Sequence, residues 1–216
     1  MCAQGPVKLY AGFRCEAVAA MLVLSACLDG AAWGQPTSGR PDYKVGDKWT
    51  YHIVEKVADK TSEWSREIVE VGPGSRLLGR FEDGTTHEYD DAMNWAPTGP
   101  EDARVLVKYP LRVGLSWTFT HKPNTTGNVR ETGEAKVVSY ESITVPAGTF
   151  DCYRIDAQST ASVRTYSARR QWSRWYCPAI KWIAKEQLET NIYDPGKGGG
   201  TRTVATSELT AFSPAK

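Results

Sequence analysis

Two stretches decide the fold of this chain, ITVPAGTFDCYRID at residues 143–156 and WYCPAIKWIAKE at residues 175–186. In the first, β-branched and aromatic residues alternate with polar ones, a pattern typical of half-buried strands, and the second is rich in the aromatic and β-branched residues that strands favour. Pro-Ala-Gly at residues 146–148 interrupts the first stretch and predicts a tight corner between two strands. The order is therefore strand, turn, strand, hairpin loop and strand, which predicts a protein of the all-β class.

The composition of the whole chain agrees with this class. Its 216 residues include 19 Gly, 12 Pro and 8 Trp, and no segment has a long helical periodicity. The sequence predicts a single antiparallel, strongly curved sheet of roughly ten strands, and half-barrel, barrel and sandwich arrangements all fit the pattern. The 26 basic and 25 acidic side chains leave a net charge of +1, too small to favour a nucleic-acid partner through bulk electrostatics.

The N-terminus has the features of an export signal. Basic residues precede an apolar run at residues 17–28, which is too short to span a bilayer as a helix. Residues 1–34 are predicted to be a signal peptide. The alternative processing site is Leu-Ser-Ala-Cys at residues 24–27, which resembles a bacterial lipobox and would leave Cys27 lipidated. We expect a periplasmic or outer-membrane-associated bacterial protein that contacts a membrane only through such a lipid; the other interpretation is a buried helix of a cytosolic protein.

After processing, the predicted organisation is a linker at residues 35–42 and one β domain at residues 43–214. Asp-Gly at residues 83–84 predicts a hairpin turn. Residues 91–104 form a Pro-, Gly- and acid-rich loop, which is either functional or mobile, and residues 105–109 are predicted to be a strand.

One stretch of the domain is repeated. YKVGDKWTY at residues 43–51 returns as LRVGLSWTF at residues 111–119. The repeat indicates either an internal duplication or two strands that begin with the same glycine turn and the same need for buried aromatic residues.

Export also bears on whether the cysteines form a disulfide. Cys152 and Cys177 would be the cysteines of the mature protein, and in an oxidising compartment such a pair more often forms a disulfide than stays free. If their strands pair as a hairpin, matching Cys152 with Cys177 places Thr160 opposite Arg169 and leaves a connection at residues 161–168. Alternation would then place the disulfide on a half-polar face of the sheet. The alternative is two unrelated buried thiols.

Three motifs together resemble a known group of proteins. They are Val-Gly-x-x-Trp-Thr-Tyr at residues 45–51, Val-Pro-Ala-Gly-Thr-Phe-Asp-Cys-Tyr at residues 145–153, and Trp-Tyr-x-Pro at residues 175–178 followed by Lys-x-x-Ala-Lys-Glu at residues 181–186. The combination is similar to uncharacterised bacterial periplasmic or lipoprotein-like β-proteins, which are distantly like the half-barrels that carry lipoproteins or lipids between membranes. The resemblance implies a curved sheet with a hydrophobic concave face. Its motifs determine the fold, so it implies no active site.

No catalytic residue, metal site or cofactor is predicted. HEYDD at residues 87–91 groups an imidazole with three carboxylates, but alternation sends His87 and Glu88 to opposite faces of a strand. The glycine run at residues 198–200 lacks the residue order of a phosphate-binding loop, and the chain has no Gly-x-Ser-x-Gly motif. We therefore expect a protein that is not an enzyme.

The densest basic region lies between residues 164 and 185, where six Arg and Lys side chains alternate with aromatic ones. Trp172, Arg174, Trp175 and Tyr176 are candidate ligand or surface contacts, because aromatic faces stack on rings and guanidinium groups bind anionic headgroups or acidic sugars. The alternative is a solvated strand face whose long side chains cover apolar neighbours.

Two functions from different classes remain. One is a non-enzymatic cell-envelope protein that binds or carries a lipid or other hydrophobic ligand, such as an acyl chain, in the concave face of its sheet. The other is a structural module with a packed core that contacts envelope proteins. Inward-facing Val, Leu and Trp serve both functions equally, whereas a solvent-open apolar cavity of several hundred Å³ would favour ligand binding.

Overall fold

The structure, a computed structural model, describes residues 36–73, 76–96, 102–122, 129–162, 167–197 and 199–216. The predicted signal segment with Cys27 lies outside the described residues, as do residues 163–166 of the predicted hairpin connection. No described helix is long and apolar enough to cross a membrane.

The described residues form one ten-stranded antiparallel sheet. Its strands are β1 (Lys48–Glu55), β2 (Lys60–Val71), β3 (Leu77–Phe81), β4 (Thr86–Tyr89), β5 (Ser116–His121), β6 (Arg130–Val145), β7 (Gly148–Ser162), β8 (Ser167–Cys177), β9 (Trp182–Asp194) and β10 (Gly199–Ser213). The order across the sheet is β4-β3-β2-β1-β10-β9-β8-β7-β6-β5, so β4 and β5 are its edges. The predicted all-β class and single ten-stranded sheet are confirmed, and the sheet is open rather than a closed barrel or a two-sheet sandwich.

The sheet is strongly curled, because its two edges meet on one side chain. The ring of Trp95 lies 6.0 Å from the ring of His87 on β4 and 5.0 Å from that of His121 on β5, measured between centroids. In a flat ten-stranded sheet the edges would be about 43 Å apart at the usual strand spacing. Register shifts help to bend the sheet, since an extra residue in one strand kinks it. Within the described sheet they occur between β1 and β10, β2 and β3, β6 and β7, and β8 and β9.

Strands β7 and β8 pair in the predicted register. Thr160 lies opposite Arg169, and a disulfide joins Cys152 to Cys177, with Cα atoms 4.1 Å apart. The expected half-polar setting of the disulfide is wrong, because neither cysteine has any exposed surface. Tyr153, the next residue along β7, is also buried. Consecutive strand residues point to opposite faces, so both faces of the sheet are covered at this end.

The connection between β4 and β5 fills the concave face of the sheet. Its described residues are 90–96 and 102–115, and Met93, Val107 and Leu111 within it have almost no exposed surface. The described part of this connection is therefore a component of the core, although the sequence gives it the composition of a surface loop.

The side chain of Asn94 joins the two described parts of this connection, residues 90–96 and 102–115. Oδ1 of Asn94 accepts the backbone N–H groups of Leu106 and Val107 at 2.8 and 2.9 Å. Its Nδ2 donates to the carbonyl of Val107 and to the carboxylate of Asp90. The strand predicted at residues 105–109 is wrong: these residues are irregular, because a side chain takes the backbone groups that a neighbouring strand would otherwise pair.

The repeated stretch forms the same turn twice, before β1 and before β5. Gly46 and Gly114 both have the positive φ that glycine adopts readily, 99° and 88°. The backbone N–H of each donates to a carbonyl of a sheet strand, at 2.8 and 2.9 Å. Trp49 and Trp117, three residues further on, are both buried. The shared motif thus encodes one turn geometry and one buried aromatic position.

Candidate functional site

A cavity of about 280 Å³ lies between the concave face of the sheet and the β4–β5 connection. It is partly open to solvent, and its walls come from β2, β4, β8 and β9 as well as from the connection. We call it the arginine cavity, because its lining combines three arginines with aromatic side chains. These residues are Arg66, Arg104, Arg174, Tyr89, Trp95 and Trp182.

Aromatic rings rather than carboxylates surround Arg66. Its guanidinium carbon lies 5.0 Å from the ring centroids of Tyr89 and Trp182 and 5.5 Å from that of Trp64. The residue is only 5% exposed, and within the described part of the chain no acceptor bonds to it, so its buried Nε has no partner. Cation–π contacts of this kind contribute about 0.5–2 kcal/mol each, which offsets part of the cost of burying the charge.

Arg104 and Arg170 share one buried carboxylate, that of Glu131. Its Oε2 lies 2.6 Å from Nη2 of Arg104 and its Oε1 lies 3.3 Å from Nη1 of Arg170. Ser159 donates a hydrogen bond to Oε1 at 2.5 Å. Burial alone would raise the pKa of Glu131, but the two arginine charges and the Ser159 hydroxyl outweigh it and lower that pKa. Glu131 is therefore ionised at neutral pH.

The third arginine of the lining, Arg174, forms an ion pair with Glu186 on β9. Arg66, Arg104, Arg170 and Arg174 thus stand with two paired carboxylates, those of Glu131 and Glu186. Even with the carboxylate of Asp90, which accepts a hydrogen bond from Asn94 of the lining, the side chains beside the cavity carry more positive than negative charge.

One part of the cavity lining, Trp95 with His87, lies where the two edge strands meet. Trp95 stands between His87 and His121, and the guanidinium carbon of Arg104 is 5.5 Å from its ring centroid. Nδ1 of His121 is 2.6 Å from the carbonyl oxygen of Asp102. Burial lowers the pKa of His121, so its ring is neutral at pH 7 and Nδ1 carries the proton. Among the described residues no three His, Cys, Asp or Glu side chains are grouped as metal ligands would be.

The four residues predicted as contacts have different surroundings, because strand residues alternate between faces. Arg174 lines the arginine cavity, and Trp172 is buried on the same face of β8. Tyr176 is buried edge-on against Tyr109, with ring centroids 5.7 Å apart. Trp175 lies on the opposite face. A ligand-contacting role for these four residues stays a prediction, but they do not form one site.

Trp175 is occupied by protein contacts on its own face. Its Nε1 donates to Oε1 of Glu141 at 2.6 Å. Two cations flank its ring, the guanidinium carbon of Arg154 at 5.5 Å and Nζ of Lys185 at 5.9 Å from the centroid. These contacts correspond to the alternative in which long basic side chains cover an aromatic neighbour.

A wider depression of about 750 Å³ lies on that opposite face, across β5 to β8. Cross-strand rows of polar residues line it, including the row Ser116, Lys136, Asp156 and Ser173. The polar side chains of the depression are exposed or half-buried, and some bond to each other, as Gln158 does to Glu134. We regard it as an ordinary solvated strand face rather than as a binding site.

Sequence reasoning missed Arg66 and Arg104. The signal for Arg66 is weak: Trp64 and Ile68, two residues away on either side, place it on an apolar strand face. Arg104 stands in the irregular β4–β5 connection, where no periodicity predicts which side chains point inward.

Fold and site together define an all-β protein with an open, curled antiparallel sheet and a positively charged cavity on its concave face. Residues 118–192 match a family model described as DUF3108-like. The Val-Pro-Ala-Gly-Thr-Phe and Trp-Tyr-x-Pro motifs both lie inside the matched residues. The resemblance to uncharacterised bacterial lipoprotein-like β-proteins is thus confirmed for this part of the chain.

Several solved structures are similar to this chain at low sequence identity. The hypothetical lipoprotein YmcC of Escherichia coli is 9% identical, with 78% of this chain and 86% of that chain covered and a TM-score of 0.45. A candidate lipoprotein of Parabacteroides distasonis is 15% identical (83% and 100% covered, TM-score 0.45). A candidate exported protein of Bacteroides fragilis with a YmcC-like fold is 13% identical (82% and 99% covered, TM-score 0.43). No curated protein matches the sequence.

Proposed function

We propose that this protein is a non-enzymatic binding protein of the bacterial cell envelope that holds a small, partly hydrophobic ligand in the arginine cavity. The observation that carries the proposal is the cavity itself, which the sheet and the β4–β5 connection enclose together. Apolar contact would come from Met93 and Leu106 in the connection and from Trp182 on β9, all of which line the cavity. Sites of this construction, apolar walls with a few polar groups, are typical of small-molecule binding.

The size of the cavity limits the ligand. Its volume of about 280 Å³ corresponds to about nine molecules of liquid water, and it stands at the lower end of the roughly 300–1,000 Å³ of small-molecule sites. The proposal is therefore narrower than a carrier of long acyl chains: the ligand is a compact molecule or one short chain.

Two features support a location in the envelope. The apolar run at residues 17–28 has the length and flanking charges of an export signal. The Cys152–Cys177 disulfide belongs to an oxidising compartment. Fused to a reporter that is active only outside the cytoplasm, residues 1–40 should give signal. Cys27→Ser should alter membrane attachment only if the lipobox is used, and a full-length protein that stays in the cytosol with Met1 intact would contradict export.

A structural module of the envelope is the second candidate, and the buried connection favours it. Val107 and Leu111 have no exposed surface, so the connection fills much of the concave face that a carrier would leave empty. On this alternative the cavity holds only water and the protein contacts partners through its outer surfaces.

Native mass spectrometry with solvent extraction separates the two candidates. Protein purified from the periplasm should carry a small molecule, and Leu106→Trp, which fills the cavity, should abolish its retention. Val138→Trp is the matched control, because Val138 is an exposed residue on β6 and the same enlargement there should leave the ligand bound. Wild-type protein that is repeatedly empty and ignores small apolar probes would favour the structural module.

A further inference from the structure

We propose that the arginine cavity selects its ligand by charge: the ligand is a small organic anion whose carboxylate or phosphate group binds beside Arg66. This inference rests on the proposed binding function and adds the chemical class of the ligand. Its basis is a buried cation that lines the cavity and has no anionic partner among the described residues.

The orientation of the Arg66 contacts leaves its donors available. A guanidinium group presents its N–H donors in its own plane, whereas aromatic rings take cations against their faces. Rings of Trp64, Tyr89 and Trp182 surround the group within 5.5 Å, and aromatic faces accept no conventional hydrogen bond. Nε is buried without a partner. The donors of Arg66 therefore need an acceptor from outside the described chain, and the adjoining space is the cavity.

Arg104, which also lines the cavity, has the same kind of unmet donor. Its terminal nitrogen pairs with Glu131 at 2.6 Å, but its Nε is also buried without a partner. Glu131 is already shared with Arg170 and Ser159, so it has little capacity left. Two guanidinium groups, each with a buried Nε that has no partner, thus line one cavity, and guanidinium donors of this kind recognise carboxylate and phosphate groups.

The amide of Asn94, one of the polar groups of the lining, cannot supply the missing acceptor. Oδ1 of Asn94 already accepts two backbone N–H groups, from Leu106 and Val107, and its Nδ2 already donates twice. The amide therefore fixes the connection and is not free to turn toward Arg66. An anion in the cavity would satisfy the arginines and would neutralise the excess positive charge, which a neutral or cationic ligand would not do.

The aromatic residues of the lining indicate that the anion also has an apolar part. Trp95 and Trp182 stand beside the arginines in the lining, so an anion with a flat or short apolar part would bury that part against the rings while its charged group meets Arg66. Benzoate and phenyl phosphate are suitable probes, because both are small, aromatic and anionic and differ in the anionic group. Benzyl alcohol and benzylamine are their neutral and cationic counterparts of nearly the same size.

Isothermal titration calorimetry of the full mature protein with these four probes tests the inference. We expect benzoate or phenyl phosphate to bind at least tenfold more tightly than benzyl alcohol, and benzylamine not to bind. The anion that binds more tightly identifies the anionic group that the site prefers. Raising the salt concentration should weaken the binding of the anions and leave the binding of benzyl alcohol unchanged. Equal binding of benzoate and benzyl alcohol, or binding of neither anion by protein that retains a neutral molecule, would overturn this inference and leave the proposed binding function standing.

Substitution at Arg66 gives an independent test. Arg66→Met keeps the packing of the stem and removes the charge, and it should weaken anion binding roughly 10- to 100-fold. Arg80→Met is the control, because Arg80 on the neighbouring strand β3 is exposed, and it should leave anion binding unchanged. If Arg66→Met fails to fold, Arg66→Lys keeps the charge without the planar fork and should retain weaker, still anion-selective binding. Anion affinity that is unchanged in either Arg66 variant would contradict the assignment.

Discussion

Lys181 donates a hydrogen bond from Nζ to Oδ2 of Asp47 across 2.8 Å, and this pair joins segments that are 134 residues apart in sequence. Asp47 has no exposed surface. Its carboxylate also accepts the backbone N–H groups of Lys44 and Ala215. One side chain thereby connects the turn before β1, the turn between β8 and β9, and the C-terminal residues.

Replacing Asp47 by Asn should destabilise the fold. The substitution removes the charge that pairs with Lys181 and weakens the hydrogen bonds that the carboxylate accepts. Because Lys181 is partly exposed, we expect a loss of roughly 2–4 kcal/mol in the free energy of unfolding. Urea denaturation at pH 7 measures it. Asp42→Asn is the matched control, since Asp42 is exposed, and a loss as small as the control's would show that the pair contributes little.

The contribution of Asp47 should also depend on pH with a defined sign. Burial alone would raise its pKa, but the hydrogen bonds from Lys181, Ala215 and Lys44 and the charge of Lys181 lower it below the usual value. A group with a lowered pKa in the folded state stabilises fully above its unfolded pKa, about 3.9 for Asp, and loses that contribution as the pH falls through the folded value. The difference in stability between wild type and Asp47→Asn should be constant from about pH 7 to pH 5 and shrink below about pH 4. A difference that grows on acidification would contradict the assignment.

Neutralising Glu131 should cost more than neutralising an exposed carboxylate on the same strand. Glu131→Gln leaves Arg104 and Arg170 without their shared anion. Removal of one partner of a buried ion pair costs about 3–5 kcal/mol, and because the two arginines are partly exposed we expect the lower end of that range. Glu134→Gln on the solvated face of β6 should cost less than about 1 kcal/mol. Adding Arg170→Met to Glu131→Gln should recover part of the loss in a double-mutant cycle by thermal or urea unfolding; strictly additive losses would show that the two residues do not interact.

The part of this fold that local pattern controls could be predicted from the sequence. Alternation and one pair of cysteines predict the β7–β8 register down to Thr160 opposite Arg169, because a strand has a period of two and a disulfide fixes the pairing. The repeated glycine turn before β1 and β5 is likewise a local property of its residues.

The candidate site could not be predicted in the same way. The cavity combines residues from distant strands, Arg66 from β2, Tyr89 from β4 and Trp182 from β9. The curl of the whole sheet brings them together, and no local sequence pattern predicts that curl. The β4–β5 connection is buried because Asn94 satisfies its backbone groups, and a single amide at an irregular position has no periodicity. Both failures concern contacts between residues that are distant along the chain.

Removing the disulfide should destabilise the protein without changing its fold. Cys152 and Cys177 are separated by 25 residues, and opening a loop of that length costs roughly 3 kcal/mol in the chain-entropy model. Denaturation of the Cys152→Ala/Cys177→Ala variant measures the loss. In the wild type from an oxidising compartment, reduction after denaturation should add the mass of two hydrogen atoms, and neither cysteine should react with iodoacetamide beforehand. Free alkylation of both thiols without denaturant would exclude the disulfide.

A single methyl group at Gly133 should disrupt the concave face where β5, β6 and β7 pack together. A Cβ at this position would lie 2.6 Å from the backbone carbonyl oxygen of Gln158 and 2.8 Å from Cε1 of Phe119. The backbone oxygen belongs to the neighbouring strand and cannot move without breaking the ladder, so Gly133→Ala should lower the free energy of unfolding by about 3 kcal/mol.

Gly199, at the start of β10, offers the matched control for this overpacking. A Cβ there would meet no atom within 4 Å, and an alanine restricts the unfolded chain, so Gly199→Ala should be neutral or up to about 1 kcal/mol stabilising. Thermal unfolding of both variants shows whether close packing requires glycine at position 133 or whether strand propensity alone determines the effect of the substitution. Propensity alone favours alanine over glycine in both strands, so equal stabilisation of the two variants would mean that Phe119 and Gln158 do not approach Gly133 as closely as the described packing requires.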